Sequence, residues 1–192
     1  MRILAFTDLH DHMPFFIKLK KKAEQADIII CAGDMTIFER GIAKVIAKIA
    51  SLGKETYIIH GNHEEAVNVR NECAKHKNLH FCHKRVFRMN GISIFGYGGG
   101  GFSYVDRGFE QFMESFKYAL QKKNILVTHA PAYGTGVDMV MGEHAGNRSI
   151  RKYVKCFNLA VSGHLHEANG RKQVIGKTLL INPGPEGRLI EV

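Results

Sequence analysis

With 192 residues, the chain has the length of one domain, residues 1–192, large enough to bury a substantial core. Its 45% hydrophobic and 23% charged residues are ordinary for a soluble globular protein, and no apolar stretch approaches the ~20 residues of a membrane span. The net charge of +9 invites a nucleic-acid reading, but the lysines lie in helical stretches such as 18–22, without an arginine-rich tract or an RRM or zinc-finger pattern. A solvated face accounts for them, and the excess charge would steer a phosphorylated anion inward. The first residues run straight into a strand without the apolar region of a signal peptide, so a cytoplasmic location is expected. Cys31, Cys73, Cys82 and Cys156 form no CxxC pair and are expected to be reduced, structural thiols.

In chain order, Arg2–Thr7 reads as a strand, a near-continuous apolar run typical of a sheet covered on both faces. Pro14 opens a helix with Phe15, Phe16, Leu19 and Ala23 at helical spacing. Asp27–Ala32 is a second strand. Ile42, Val45, Ile46, Ile49 and Leu52 form the stripe of a second helix, stopped at Gly53. Glu55–Ile59 is a third strand, and Glu64 to about Lys77 a more polar third helix. This β-α-β-α-β-α order implies a parallel sheet with right-handed crossovers. Leu79–Cys82 is a short strand, and Val86–Met89 and Ile92–Phe95 flank Asn90-Gly91, the signal for a type I′ hairpin. Gly98–Gly101 reads as a turn-rich connector, because it lacks the lysine and helix-opening spacing of a P-loop. Phe109, Phe112, Met113, Phe116 and Leu120 mark a fourth helix, followed by a strand at Asn124–Thr128. Pro131–Gly146 is a long structureless loop with four glycines, a kind that is often functional. Ile150, Tyr153 and Val154 suggest a fifth helix and Asn158–Val161 a strand. The tail reads as a meander of Gln173–Ile175, Thr178–Asn182 and Arg188–Val192. A parallel half followed by a half richer in hairpins suggests two sheets packed face to face with helices outside.

Five apolar runs end in chemistry-bearing residues: Asp8 and His10; Gly33-Asp34; Gly61-Asn62-His63-Glu64; His129; and Gly163-His164-Leu165-His166. Open α/β sheets bind ligands at the carboxyl ends of their strands, where all of these lie. Two Asp, one Asn and five His make a metal site, and eight side chains exceed one tetrahedral ion, so two ions are more natural. Carboxylate, amide oxygen and imidazole without thiolate suit divalent ions headed by Mn²⁺, with Fe, Zn²⁺, Co²⁺ or Ni²⁺ as the others. Two ions ~3.5–4 Å apart can clamp the attacking and leaving oxygens of a displacement at phosphorus, with a bridging hydroxide as nucleophile.

These blocks, in this order from residue 8 to 166, resemble the calcineurin-like metallophosphoesterase superfamily, whose pattern is D-x-H, G-D, G-N-H-D/E, H and G-H-x-H. The resemblance implies a four-layer αββα sandwich of two mixed sheets. It also implies that Asp8, His10 and His166 hold one ion, that Asn62, His129 and His164 hold the other, and that Asp34 bridges. His63 is then no ligand but the general acid that protonates the leaving oxygen, a step worth roughly 10²–10⁴ in rate, and Asn62 and His63 contact a phosphate oxygen. The expected activity is that of a small phosphodiesterase acting on a small phosphorylated substrate. A nuclease is possible but not favoured, and no membrane-lying helix supports a lipid-phosphate hydrolase. Some members of the fold, including a retromer subunit, serve as protein-interaction scaffolds, but there the ligand set is degraded, whereas here every position is filled.

Glu64 has two readings, orienting His63 or capping the next helix, and the cap is preferred. The GDxVDRG block of the related protein phosphatases has Ile37 in place of its second Asp, which argues against that activity; Val105-Asp106-Arg107-Gly108 lies too far away to replace it. His144 is a candidate substrate contact, with a solvated loop histidine as the plainer alternative. His12 reads as a helix start.

Overall fold

The computed structural model describes residues Met1–Val192. Strand alternation organises it. In β1 (Arg2–Phe6), Ile3 and Ala5 face one side of a sheet and Leu4 and Phe6 the other, and all four are fully buried. The helix α1 (Met13–Ala23) returns the chain to β2 (Ile28–Cys31), α2 (Ile42–Ala50) to β3 (Glu55–Ile58), and α3 (Ala66–Cys73) to β4 (Leu79–Phe81). These strands pair in parallel in sequence order, so right-handed crossovers lay the three helices on one face. The hairpin β5 (Arg85–Met89) and β6 (Ile92–Tyr97) turns at Asn90 and Gly91, with φ +47° and +77°, as a type I′ turn requires. Then follow α4 (Arg107–Phe116), β7 (Lys123–Thr128), a short ribbon of β8 (Met139–Val140) and β9 (Glu143–His144), and α5 (Arg148–Tyr153). The chain finishes with β10 (Leu159–Val161), β11 (Lys172–Ile175), β12 (Thr178–Ile181) and β13 (Arg188–Glu191).

Two mixed sheets result, in the orders β13-β1-β2-β3-β4 and β11-β12-β10-β7-β6-β5. Three apolar cores separate four layers. Leu4, Phe6, Ile29, Cys31 and Ile58 pack against α1, α2 and α3. On the opposite faces of the same strands, Ile3, Ala5, Ile28 and Ile30 meet Ile94, Ile125, Val127 and Val161 of the second sheet. Leu126, Ala160 and Phe95 then pack outward on α4 and α5 through Phe109, Phe112 and Ile150. Each fully buried Ile, Leu or Phe contributes roughly 1.5–3 kcal/mol. This is the αββα sandwich. No helix is long and apolar enough to cross a membrane.

The structure corrects several expectations. The tail is not a meander, because β13 leaves the second sheet and pairs antiparallel with β1, Ile3 opposite Ile190. Both sides of β12 are already taken, by β10 and β11, whereas β1 is paired with β2 on one side only until β13 fills the other. The centre of the second sheet, β12-β10-β7-β6, is also parallel, with antiparallel strands only at its edges. The segment 131–146 is not structureless. Buried Asp138 accepts the amides of Gly134, Thr135 and Gly146 and pairs with His144 at 2.7 Å, folding the loop around β8 and β9. All four cysteines are free, but Cys156 is exposed rather than structural, while burial pushes the Cys73 thiol up to about 12.

Candidate metal centre

The central parallel strands of both sheets end on one rim, and each delivers its block there: Asp8 and His10 past β1, Asp34 past β2, Asn62 and His63 past β3, His129 past β7, His164 and His166 past β10. The loops that carry them are strained. Asp8, His10, Asp34 and His164 have φ of +53°, +48°, +50° and +69°, a region non-glycine residues enter at a cost and mainly at functional sites. Close approach explains two of the glycines. A Cβ on Gly61 would lie 1.9 Å from Asp34 Oδ1, and one on Gly163 would lie 1.9 Å from Thr7 Oγ1 and 2.8 Å from Asp8 Oδ2.

Two groups of donors form. In Asp8, His10 and His166 the donor atoms lie within 4.8 Å of one another, and the same holds for Asp34, His129 and His164. Asn62 joins the second group, its Oδ1 lying 3.0 Å from His129 Nε2 and 2.8 Å from His164 Nδ1. Asp34 Oδ2 is 3.2 Å from His129 Nε2, and the Nε2 atoms of His10 and His166 are 3.2 Å apart. Backbone carbonyls fix two of the rings. His10 Nδ1 lies 3.0 Å from the Thr36 carbonyl and His129 Nδ1 2.8 Å from that of Ala32, and donation there turns each Nε2 lone pair inward. His164 Nε2 is buried without any partner. The other ring nitrogen, Nδ1, is the one turned to Asn62 Oδ1, and the convergent set of carboxylate, amide-oxygen and imidazole donors fits a divalent cation.

The electrostatics of Asp34 and His164 point the same way. Burial would raise the Asp34 carboxyl, but the hydrogen bond and charge of His129, with the His63 amide, outweigh it and hold Asp34 at about 2. Burial, reinforced by the charge of His129, lowers His164 to about 4, keeping it a neutral donor. For His129 itself, burial lowers the affinity for protons, but Asp34 overrides it and the net shift is upward.

His63 stands beside this cluster, its Nε2 3.8 Å from Asp34 Oδ2 and its ring 5.1 Å from that of His10. Glu64 neither orients His63 nor caps the helix. The cap residue of α3 is Glu65, while Glu64 is buried and accepts from Asp34 N at 3.1 Å, Gly61 N at 3.1 Å, and Thr36 N and Oγ1 at 2.8 and 2.9 Å. It ties the loops after β2 and β3 together. Asp106 caps α4 by accepting from Phe109 N, which gives the Val105–Gly108 string a structural role. His144, bound to Asp138, belongs to neither donor group. His12 is the residue preceding α1.

Sequence reasoning missed two aromatic neighbours. Phe38 rests on His63, ring centroids 4.5 Å apart, and Phe102 on His164 at 4.4 Å. Their only signal was negative: both are large apolar residues outside any periodic stripe, in loops next to the motif blocks.

Comparison with known proteins agrees with the geometry. The family model of the calcineurin-like phosphoesterases matches residues 1–168. An uncharacterized protein of Methanocaldococcus jannaschii is 30% identical over 202 aligned positions, covering 99% of this chain and 91% of that one. Among solved structures, TT1561 of Thermus thermophilus superposes with a TM-score of 0.80 at 16% identity, covering 96% of this chain and 90% of that one. A dimetal phosphatase from Danio rerio gives 0.66 at 8% identity, with 94% and 86% covered. A novel archaeal phosphodiesterase gives 0.52 at 16%, with 96% and 84% covered. At these identities the structural likenesses speak for the fold.

Proposed function

The chain belongs to the calcineurin-like phosphoesterase family, and we propose that it is a two-metal hydrolase of a small phosphodiester with His63 as its general acid. The observation that carries this reading is the pair of donor groups on one rim with a non-ligand histidine beside them. Asp8, His10 and His166 would hold one ion, Asn62, His129 and His164 the second, and Asp34 would be shared. Mn²⁺ is the first candidate, with Fe, Zn²⁺, Co²⁺ and Ni²⁺ behind it. Bound ions would supply the Lewis acidity that activates water and neutralises phosphoryl oxygens.

The chain's own groups do the rest. The Asn62 amide, exposed at the mouth of the site, and the half-buried His63 ring are placed to contact a phosphoryl oxygen. His63 lies within reach of the ligand cluster without joining it, so it is free to deliver a proton to the leaving oxygen. A structural neighbour described as a phosphodiesterase and another as a dimetal phosphatase support ester hydrolysis at two metals. The test is hydrolysis of an aryl phosphodiester beside its monoester by metal-stripped protein with Mn²⁺ restored. Metal-dependent diester cleavage is expected, falling roughly 10²–10⁴-fold in His63→Ala with metal uptake retained. Cleavage of the monoester alone would replace this reading with a phosphatase. No turnover despite tight metal uptake would remove the catalytic reading.

A further inference from the structure

We propose that Phe38 forms a stacking subsite for an aromatic ring carried by the leaving group of the substrate. The proposal rests on the phosphodiester reading above. Both rings are large and apolar yet lie in the open, Phe38 76% and Phe102 68% exposed, against a cluster of polar ligands. Apolar burial therefore does not explain their positions.

Phe38 is held there at a cost. It and Glu39 have successive positive φ values of +47° and +60°, a conformation that bulky side chains rarely adopt. The Glu39 carboxylate locks the turn by accepting from Glu65 N at 2.8 Å and from Asn68 Nδ2 at 3.0 and 2.9 Å. The result is a phenyl ring tilted 42° over His63 with its outer face free. Phe102 follows three glycines of positive φ, Gly99 to Gly101, and sets its edge against His164 at 62°. The two rings thus flank the cluster at different histidines. Phe38 adjoins the proposed proton donor, so whatever the leaving oxygen carries must extend past it. A planar ring there gains an offset stack, whereas a saturated group gains only contact area.

An aryl ester or a nucleobase would offer the same ring, and paired substrates separate them. The methyl esters of adenosine 5′-monophosphate and of 1-O-methylribose 5-phosphate differ only in the base. Phenyl and cyclohexyl methyl phosphates differ in the ring itself. Comparing each kcat/KM ratio between the parent protein and Phe38→Ala cancels intrinsic reactivity. The ratio favouring the ring-bearing ester should fall about tenfold in Phe38→Ala for the pair that matches the natural leaving group. A loss shared equally by both members of each pair would overturn the proposal and leave Phe38 as a support for the His63 ring.

A second readout is independent of turnover. The chain has no tryptophan, so Phe38→Trp introduces a single indole. In metal-loaded protein its fluorescence should be quenched saturably by adenosine 5′-monophosphate or phenyl phosphate and not by methyl phosphate. Equal responses to all three would contradict stacking. Ring-specific quenching with no hydrolysis of any ester would support the subsite and defeat the phosphodiester reading instead.

Discussion

Glu64 shows what a single residue does here. Its carboxylate is buried, and burial raises its affinity for a proton, yet three backbone amides and one hydroxyl donate to it. The loops after β2 and β3 have no backbone ladder between them at this point, so this group, together with Asp34 Oδ1 accepting the His63 amide at 3.0 Å, sets the spacing of Asp34 from Asn62 and His63. Glu64→Gln keeps the volume but turns an amide NH₂ toward donors. Metal-free protein should lose about 1–3 kcal/mol in urea denaturation, and Mn²⁺ affinity should weaken with it. An unchanged midpoint would mean that the brace carries no load. The role was not legible in the sequence, because its partners Asp34 and Thr36 lie some thirty positions upstream and only the fold brings them close. The candidate ligands could be named from the sequence for the opposite reason. Asp, Asn and His directly after short buried strands have no packing or turn rationale, and five such blocks in order leave few readings. Phe38 and Phe102 could not be read, since a loop phenylalanine announces nothing about the histidine it will touch.

Among the elements, the β5–β6 hairpin was read correctly because Asn-Gly between two alternating runs is a local signal. Gly91 has open space where a Cβ would stand, so only its φ of +77° opposes a side chain. Gly91→Ala should therefore destabilise the protein by roughly 1 kcal/mol, seen as a lowered urea midpoint, without altering metal binding at the far end of the strands. A loss of metal binding in that variant would show that the hairpin and the rim are coupled. The terminal strand was misread because three alternating runs separated by turns describe a meander and a sheet switch equally well. What decides is saturation: β10 and β11 already flank β12, whereas β13 is the strand that completes β1 beside β2. The loop 131–146 was misread because its order comes from one buried carboxylate, Asp138, rather than from an apolar period.

The whole molecule divides labour between its two ends and its three cores. Helices brace the outer face of each sheet, the inner faces meet in an apolar core, and the carboxyl ends of the central strands are left to hold polar, strained loops. A cavity of about 590 Å³, lined by Met1, Ile28, Ile92 and Lys123 among others, lies at the starts of the strands, away from the ligand rim. The charge of +9 draws anions toward the protein, so turnover of an anionic ester should be faster at low ionic strength than at high. All of this depends on the rim holding two ions, which Mn²⁺ titration of metal-stripped protein by calorimetry measures directly. Two ions per chain are expected for the parent protein, and one per chain for His166→Ala, which spares Asp34, Asn62, His129 and His164. A single ion in the parent protein, or two retained in His166→Ala, would contradict the two-site assignment.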